Sequence, residues 1–210
     1  MREVRMIPAR LAREVVEREH YLHRKPVVSH AFGLYVDDAL VGVCTFGTPA
    51  SHHLQVGAYP PDPSRVQELN RLWVHDDQPR NTESWFVARC LRALPSLMVV
   101  SFADTSQGHL GYVYRALNFR YAGWTNMDRA TPRYDYVPNK DGAHSRESSR
   151  SGYRQRVRRR PKVRYWIATG NRTERKEIER STGWLSMDWV AEPPPIEHRR
   201  RVACAPKVMP

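Results

Sequence analysis

The stretch SFADTSQGHLGYVYRALNF, residues 101–119, follows directly on the apolar run Leu97-Met98-Val99-Val100. An apolar run of that length, bounded by small and polar residues, reads as a buried strand. Ser101, Ala103 and Asp104 then stand at the carboxyl end of a strand, where open α/β sheets present their chemistry. Asp104 is the leading catalytic candidate there, with Ser101 beside it. Thr105 and Ser106 suit a helix cap, and Leu110, Val113, Tyr114 and Leu117 recur at helical spacing on one face. Gly108 and Gly111 flank His109 and leave the first turn bare, so that its free N–H groups can receive an anion or a polarised carbonyl. An ordinary strand-to-helix crossover reads the same way.

Upstream, Arg2 to Ile7 suits a short edge strand, and Pro8 opens a helix whose stripe of Leu11, Val15 and Val16 runs to Glu19. The helix ends in Glu19-His20-Tyr21-Leu22-His23-Arg24, dense in groups that move protons, ligate metals or stack, although such a cluster is also a common solvated helix end. Ala31–Val36 and Leu40–Phe46 read as a hairpin turning at Asp37-Asp38-Ala39. Thr48 to Ser64 reads as a long loop, either a lid or binding loop or merely a mobile one. Val66 to Val74 alternates as a strand, with Val66, Leu72 and Val74 on one side and Leu69, Arg71 and Trp73 on the other. Glu68 and Asn70 then share the side of Leu72, an unusual place for polar groups in a core. Asn81 suits a cap for a helix packed by Trp85, Phe86, Cys90, Leu91 and Leu94 and stopped by Pro95, and Phe119–Trp124 suits a further strand.

The chain has 210 residues, room for one medium domain with an extension. Residues 1–127 form its core, 128–161 a polar basic excursion or linker, 162–184 a last strand and helix completing the domain, and 185–210 a tail. The formal charge is +12, and residues 140–210 alone hold 18 Lys and Arg against 8 Asp and Glu. A basic C-terminal part calls for a polyanion. The segment has no regular apolar face, which favours nucleic acid over an acidic membrane. Cys44, Cys90 and Cys204 are far apart and form no metal-type pair, which fits a reducing compartment. No apolar run approaches a membrane span and the N-terminus lacks an apolar signal core, so a cytoplasmic protein is expected. The oligomeric state stays open, a homodimer among the options.

The order of elements is that of the acetyltransferase-like (GNAT) fold, an α+β arrangement with a mixed central sheet flanked by helices. Five segments carry a closer resemblance: EHYLHR (19–24), FGLYVDDALVGVCTFGTP (32–49), ELNRLWV (68–74), RNTESWFVARCLRALP (80–95) and SFADTSQGHLGYVYRALNFRYAG (101–123). Together they resemble the Mom family of phage DNA-modification proteins, over roughly residues 15–125 with a weaker return at KVRYWIATG. The resemblance implies a GNAT-like fold and conversion of adenine in DNA to an N6-carbamoylmethyl derivative, which blocks restriction enzymes. It also implies a phage or prophage origin, hence a bacterial cytoplasm. One departure from ordinary acetyltransferases bears on the donor. They bind the coenzyme A pyrophosphate through a glycine-rich turn after the fourth strand, where this chain has HDDQPRNTES. Acetyl-CoA is therefore a doubtful donor, and the true donor is not legible.

Adenine N6 is a weak nucleophile, paired inside a duplex, so its enzyme must expose, orient and deprotonate it. Asn70 has the groups for a bidentate contact to N6 and N7, and Tyr21 or Trp73 could stack on the ring. Asp104 is the expected general base, with His20, Tyr21 and Ser101 the other catalytic candidates. Glu68, Arg71, His109 and Tyr114 complete the substrate site, Arg71 holding either a phosphate or Glu68 itself. His20, Tyr21 and Asp104 offer N, O and O donors of the kind that suit non-haem iron. Arg154, Arg156, Arg158, Arg159, Arg160 and Lys162 are the expected contacts to double-stranded DNA. Two other classes compete: an N-acyltransferase acting on a small molecule or protein, and a non-catalytic DNA-binding protein. Replacing Arg156, Arg158, Arg159 and Arg160 with Ala is expected to weaken DNA binding and flatten its salt dependence with the fold intact. Filter binding across a salt series checks this, and an unchanged slope removes the segment from the interface.

Overall fold

The computed structural model describes residues 1–125, 134–136, 156–158 and 160–190. Strand β1 (Arg2–Met6) leads into helix α1 (Ala9–Glu19), which buries Ala12, Val15 and Val16 at the spacing its sequence sets. Strands β2 (His30–Val36) and β3 (Ala39–Gly47) form the hairpin. Asp37 and Asp38 turn it, both at positive φ (46° and 65°), a conformation Asp tolerates better than most residues.

Between β3 and the next strand the structure departs from the expected open loop. Helix α2 (His52–Ala58) is capped by Ser51, whose hydroxyl accepts from Leu54 N–H, and Ala58 and Tyr59 are buried against the sheet. This segment is packed structure rather than a lid. Strand β4 (Val66–Val74), helix α3 (Thr82–Ala93) and strand β5 (Met98–Ala103) come next. Asn81 does precede α3, but at φ 67° and with no side-chain cap bond. The helix expected after β5 is much shorter than its apolar spacing suggested. Asp104 caps a 3-10 turn over Thr105–Gln107, and only then does α4 (Tyr112–Ala116) begin. A helix of five residues is no anion site of its own.

Strand β6 (Arg120–Trp124) follows, and β7 (Tyr134–Tyr136) pairs antiparallel with β8 (Arg156–Arg158). Two short segments of the 128–161 excursion thus meet in a small ladder. Strand β9 (Val163–Ala168) returns to the main sheet. Helix α5 (Arg172–Ser181) opens on a capping box in which Asn171 and Glu174 satisfy each other's backbone N–H groups. Residues 185–190, expected in the tail, pack onto the fold: Met187 N–H donates to the Tyr121 carbonyl and Trp189 Nε1–H to the Tyr165 hydroxyl.

The main sheet runs β1-β2-β3-β4-β5-β9-β6, antiparallel at every step except the parallel β4–β5 pair. Helices α3 and α4 cover one face, over a core of Phe32, Phe46, Phe86, Val99 and Tyr165. On the other face α1 packs over Ala31 and Val43, while α2 and α5 pack over Met98, Val100 and Trp166.

Strand β4 does not alternate as its sequence suggests. Thr45 of β3 lies opposite Arg71 and Phe46 opposite Leu69, which leaves Asn70 as an extra, unpaired residue. Such a bulge shifts the pleat by one residue and bends the strand. Leu69, Leu72 and Val74 consequently share the α3 face, while Val66 belongs to the opposite core and Trp73 packs on the α1 side. This corrects the two faces read from the alternation.

Two glycines test how closely α4 is seated. Gly111 has φ 81°, and a Cβ there would lie 2.3 Å from the Tyr165 ring, whereas nothing lies within 4 Å of a Cβ on Gly57 in α2. Gly111→Ala should therefore cost about 2 kcal/mol or more, and Gly57→Ala should be neutral or stabilising by about 0.5 kcal/mol. Urea unfolding separates the two, and equal effects would contradict the packing of α4 on Tyr165.

Candidate active site

Strands β4 and β5 pair only over Val66–Glu68 and Met98–Val100. Past that point the bulge turns β4 aside, and Phe102 and Ala103 keep β9 as their partner. Ser101, fully buried, makes the last link across the widening gap by donating its hydroxyl to the Leu69 carbonyl at 3.0 Å. Beyond it opens a cleft of about 520 Å³, lined by β4 from Glu68 to Val74, the end of α1, Asp104, residues 108–114 and Lys162. That volume lies within the range of small-molecule sites.

Glu68 sits at the apex. Its carboxyl lines the cleft and has no hydrogen-bond partner among the described residues. Burial raises its pKa, and the positive charges of Lys162 and Arg71 offset this only in part. A carboxyl in this state is a better proton acceptor than an ordinary exposed one.

Asp104 lies in the opposite condition. Its burial would raise the pKa, but Lys162 Nζ at 2.7 Å and the Ser106 hydroxyl and N–H at 2.6 and 3.0 Å more than compensate, and it is held below the usual carboxylate range. Lys162 is brought there by register: Ala103 pairs with Val163, so the residue before β9 meets the residue after β5.

The end of α1 supplies the third wall. His20 is buried, and its Nδ1 accepts the Leu22 N–H at 3.2 Å, which leaves the ring proton on Nε2. Burial, reinforced by the charges of Arg71, His109 and His23, lowers its pKa to about 4, so the ring is neutral at physiological pH. His20 stacks on Tyr21 with centroids 4.3 Å apart, and His109 meets the Tyr21 ring edge-on at 5.8 Å. Burial and the Asp104 charge raise the Tyr21 pKa, so its hydroxyl keeps its proton. The cleft therefore holds an aromatic shelf, an O–H donor and an enclosed carboxyl within one wedge of the sheet.

A model of the Mom protein family matches residues 2–181, most of the chain. The chain belongs to the Mom protein family. The methylcarbamoylase Mom of Escherichia phage Mu is 37% identical to it over 131 residues, which is 57% of this chain and 53% of the phage Mu protein. This chain thus aligns with about half the length of that relative. Solved structures with a similar arrangement include a Bacillus subtilis acetyltransferase in complex with CoA, at 11% identity and TM-score 0.44 over 81% of this chain and all of the other. The ribosomal-protein-S18-alanine N-acetyltransferase of Escherichia coli gives 11% and 0.46 over 81% and 96%.

In this Mom-family chain the cleft gathers His20, Tyr21, Glu68, Arg71, Asp104 and His109, as the sequence suggested. It uses several other candidates differently. Ser101 is a core hydroxyl bridging β5 to β4, out of reach of a substrate. Asn70 is not free for a base edge: its Oδ1 accepts from Thr45 at 2.6 Å and its Nδ2 donates to the Val27 carbonyl at 2.8 Å. Trp73 packs against the α1-side core and also lines the cleft. Tyr114 is packed between Phe119 and Tyr165, with its pKa raised by burial. Arg71 donates to the Asn70 carbonyl at 2.6 Å and has no ion pair among the described residues, while its Nε is buried without a partner. Lys162, expected on DNA, is instead paired with Asp104 in the cleft.

Arg160 is exposed, Arg154 and Arg159 lie outside the described residues, and Arg156 and Arg158 are described only as the backbone of β8. His20, Tyr21 and Asp104 share the cleft, but the oxygens of Asp104 are taken by Lys162 and Ser106, and no three His, Cys, Asp or Glu converge as metal ligands among the described residues. As arranged, the set does not fit a non-haem iron. No helix among the described residues is long and apolar enough to cross a membrane.

Because burial disfavours its charged form, Glu68 helps folding when protonated, and that help is lost as pH rises through its elevated pKa. The permanently neutral Glu68→Gln should therefore be more stable than the wild type at pH 8. The gap should close below about pH 4, where the unfolded carboxyl is also protonated. Urea midpoints at several pH values check this, and a gap independent of pH would exclude Glu68 as the titrating group.

Proposed function

We propose that this protein modifies DNA by transferring a carbamoylmethyl group to adenine N6, shielding the DNA from restriction enzymes. The observation that carries the reading is Glu68, a largely buried carboxyl of raised pKa at the apex of a cleft with room for a nucleobase and the group it receives. A protein that only binds DNA has no use for such a group, which costs stability at neutral pH. Family membership and the phage Mu methylcarbamoylase support the choice of reaction.

The adenine leaves the duplex and enters the cleft beside Tyr21, a residue 41% exposed. Glu68 takes a proton from N6 as the N6–carbon bond forms, while the bond from that carbon to its carrier breaks and the carrier leaves with the electron pair. The neutral His20 and the protonated Tyr21 supply donors for the ring nitrogens or the carbonyl of the incoming group. Asp104 orients Lys162, whose charge opposes the rise that burial gives the Glu68 pKa.

Coenzyme A is a poor carrier for this site. The turn from β4 to α3 has Asp77 paired with His75 at 2.8 Å, and Asp76 and Glu83 line the cleft, so a pyrophosphate would meet carboxylates instead of bare N–H groups. The same feature weighs against an ordinary acetyl-CoA-dependent acyltransferase.

Nucleoside mass spectrometry of plasmid DNA from expressing cells tests the reading. Wild type should yield deoxyadenosine carrying a carbamoylmethyl group, and Glu68→Gln should reduce it by about a hundredfold or more. Asp104→Asn, which keeps the cap on Ser106 but loses the charge opposite Lys162, should lose less. A larger loss at Asp104 with Glu68→Gln spared would assign the base to Asp104. Unmodified adenine from folded wild type in a suitable host would sink the reaction.

A further inference from the structure

Helix α4 lines two cavities. Tyr112, its first residue, stands at the rim of the catalytic cleft and is 65% exposed, while Arg115, one turn on, lines a second groove of about 720 Å³. The Arg115 guanidinium lies 5.9 Å from the Tyr112 ring centroid and 4.1 Å from that of Trp189. Trp189 is itself fixed through its indole N–H to the Tyr165 hydroxyl at 2.9 Å. An aromatic, a cation and an aromatic therefore follow one another from the cleft into the groove.

The groove is basic. Arg115, Arg120 and Arg175 line it, and the acid among its lining residues, Glu179, is paired with Arg120 at 3.0 Å. Arg115 and Arg175 have no carboxylate partner among the described residues, and both are exposed. Alternating rings and guanidiniums bordering a basic groove are how proteins hold a nucleic-acid strand, with bases on the rings and phosphates on the cations. The concave shape fits a strand better than the flat surface of a bilayer.

We infer that the Tyr112–Arg115–Trp189 stack and the groove beside it form a track for the DNA strand flanking the target nucleotide. The adenine-modifying reading sets which nucleotide lies in the cleft, and the track carries its neighbours along α4. Arg115 and Arg175 contact phosphates, and Tyr112 covers the base next to the flipped one.

Fluorescence anisotropy of the full chain with a labelled 30-base-pair duplex, between 50 and 200 mM KCl, tests this. Arg115→Ala/Arg175→Ala should make the slope of log affinity against log salt shallower by about 2, at about 0.9 for each phosphate no longer neutralised. Tyr112→Ala should weaken binding about tenfold at every salt concentration with the slope unchanged. Circular dichroism confirms the fold, and Arg175→Glu, at an exposed helix position, serves as a second charge variant. An unchanged slope in both charge variants overturns the inference, as does a loss confined to phosphatidylserine vesicles, which would make the groove a membrane contact. Expected slopes without modified adenine in plasmid DNA leave the track standing and remove the reaction. Modified adenine with an unaltered slope does the reverse.

Discussion

One extra residue in β4 governs this protein. Asn70 has no partner across the ladder, and its side chain compensates by taking a hydrogen bond from Thr45 of β3 and giving one to the Val27 carbonyl. The bulge is thus locked from both sides rather than free to migrate along the strand. Gly47 belongs to the same knot, since a Cβ there would collide with the Val27 carbonyl at 2.0 Å. Once β4 bends, it cannot stay beside β5, and the parallel pairing stops at Glu68 and Val100. The cleft is the space that this divergence leaves.

Its electrostatics follow from where each acid stands on the two diverging strands. Glu68 is the last paired residue, deep in the wedge, where burial dominates. Asp104 is one residue past the end of β5, where the chain turns and where Lys162 of the neighbouring strand arrives in register. The two carboxyls are pushed in opposite directions by their surroundings, a separation that in active sites divides proton transfer from charge positioning. Keeping His20 neutral serves the same end, because an imidazolium beside Arg71 would add a second unpaired positive charge to the wall.

The short α4 joins this cleft to the outer surface. Gly111 lets the helix start against the face of Tyr165, whose hydroxyl donates to the Leu110 carbonyl at 2.6 Å and receives the indole of Trp189. Tyr165 therefore couples the loop that lines the cleft, the central sheet and residues 185–190 through one ring. The ring is itself held in the core between Tyr114 and Tyr121.

The sequence alone determined the elements whose signals are local. The stripe of Leu11, Val15 and Val16, the Asp37-Asp38 turn, the apolar run before Ser101 and the helix stopped by Pro95 all appear within a residue or two of where periodicity and turn chemistry put them. The make-up of the cleft was legible too, as polar residues at helix and strand ends: His20, Tyr21, Glu68, Arg71 and Asp104 line it together. What the tertiary structure decided is which of them is free. A bulge is a mismatch between two strands, so nothing in VQELNRLWV by itself shows that Asn70 is the unpaired residue or that Leu69 and Leu72 share a face. The partners of Asn70, Ser101 and Lys162 lie 43, 32 and 58 residues away along the chain, at Val27, Leu69 and Asp104. Hydrogen bonds and ion pairs over such separations depend on strand register. That register, fixed only when β3, β4, β5 and β9 lie side by side, distinguishes a side chain spent on holding the fold from one available for chemistry.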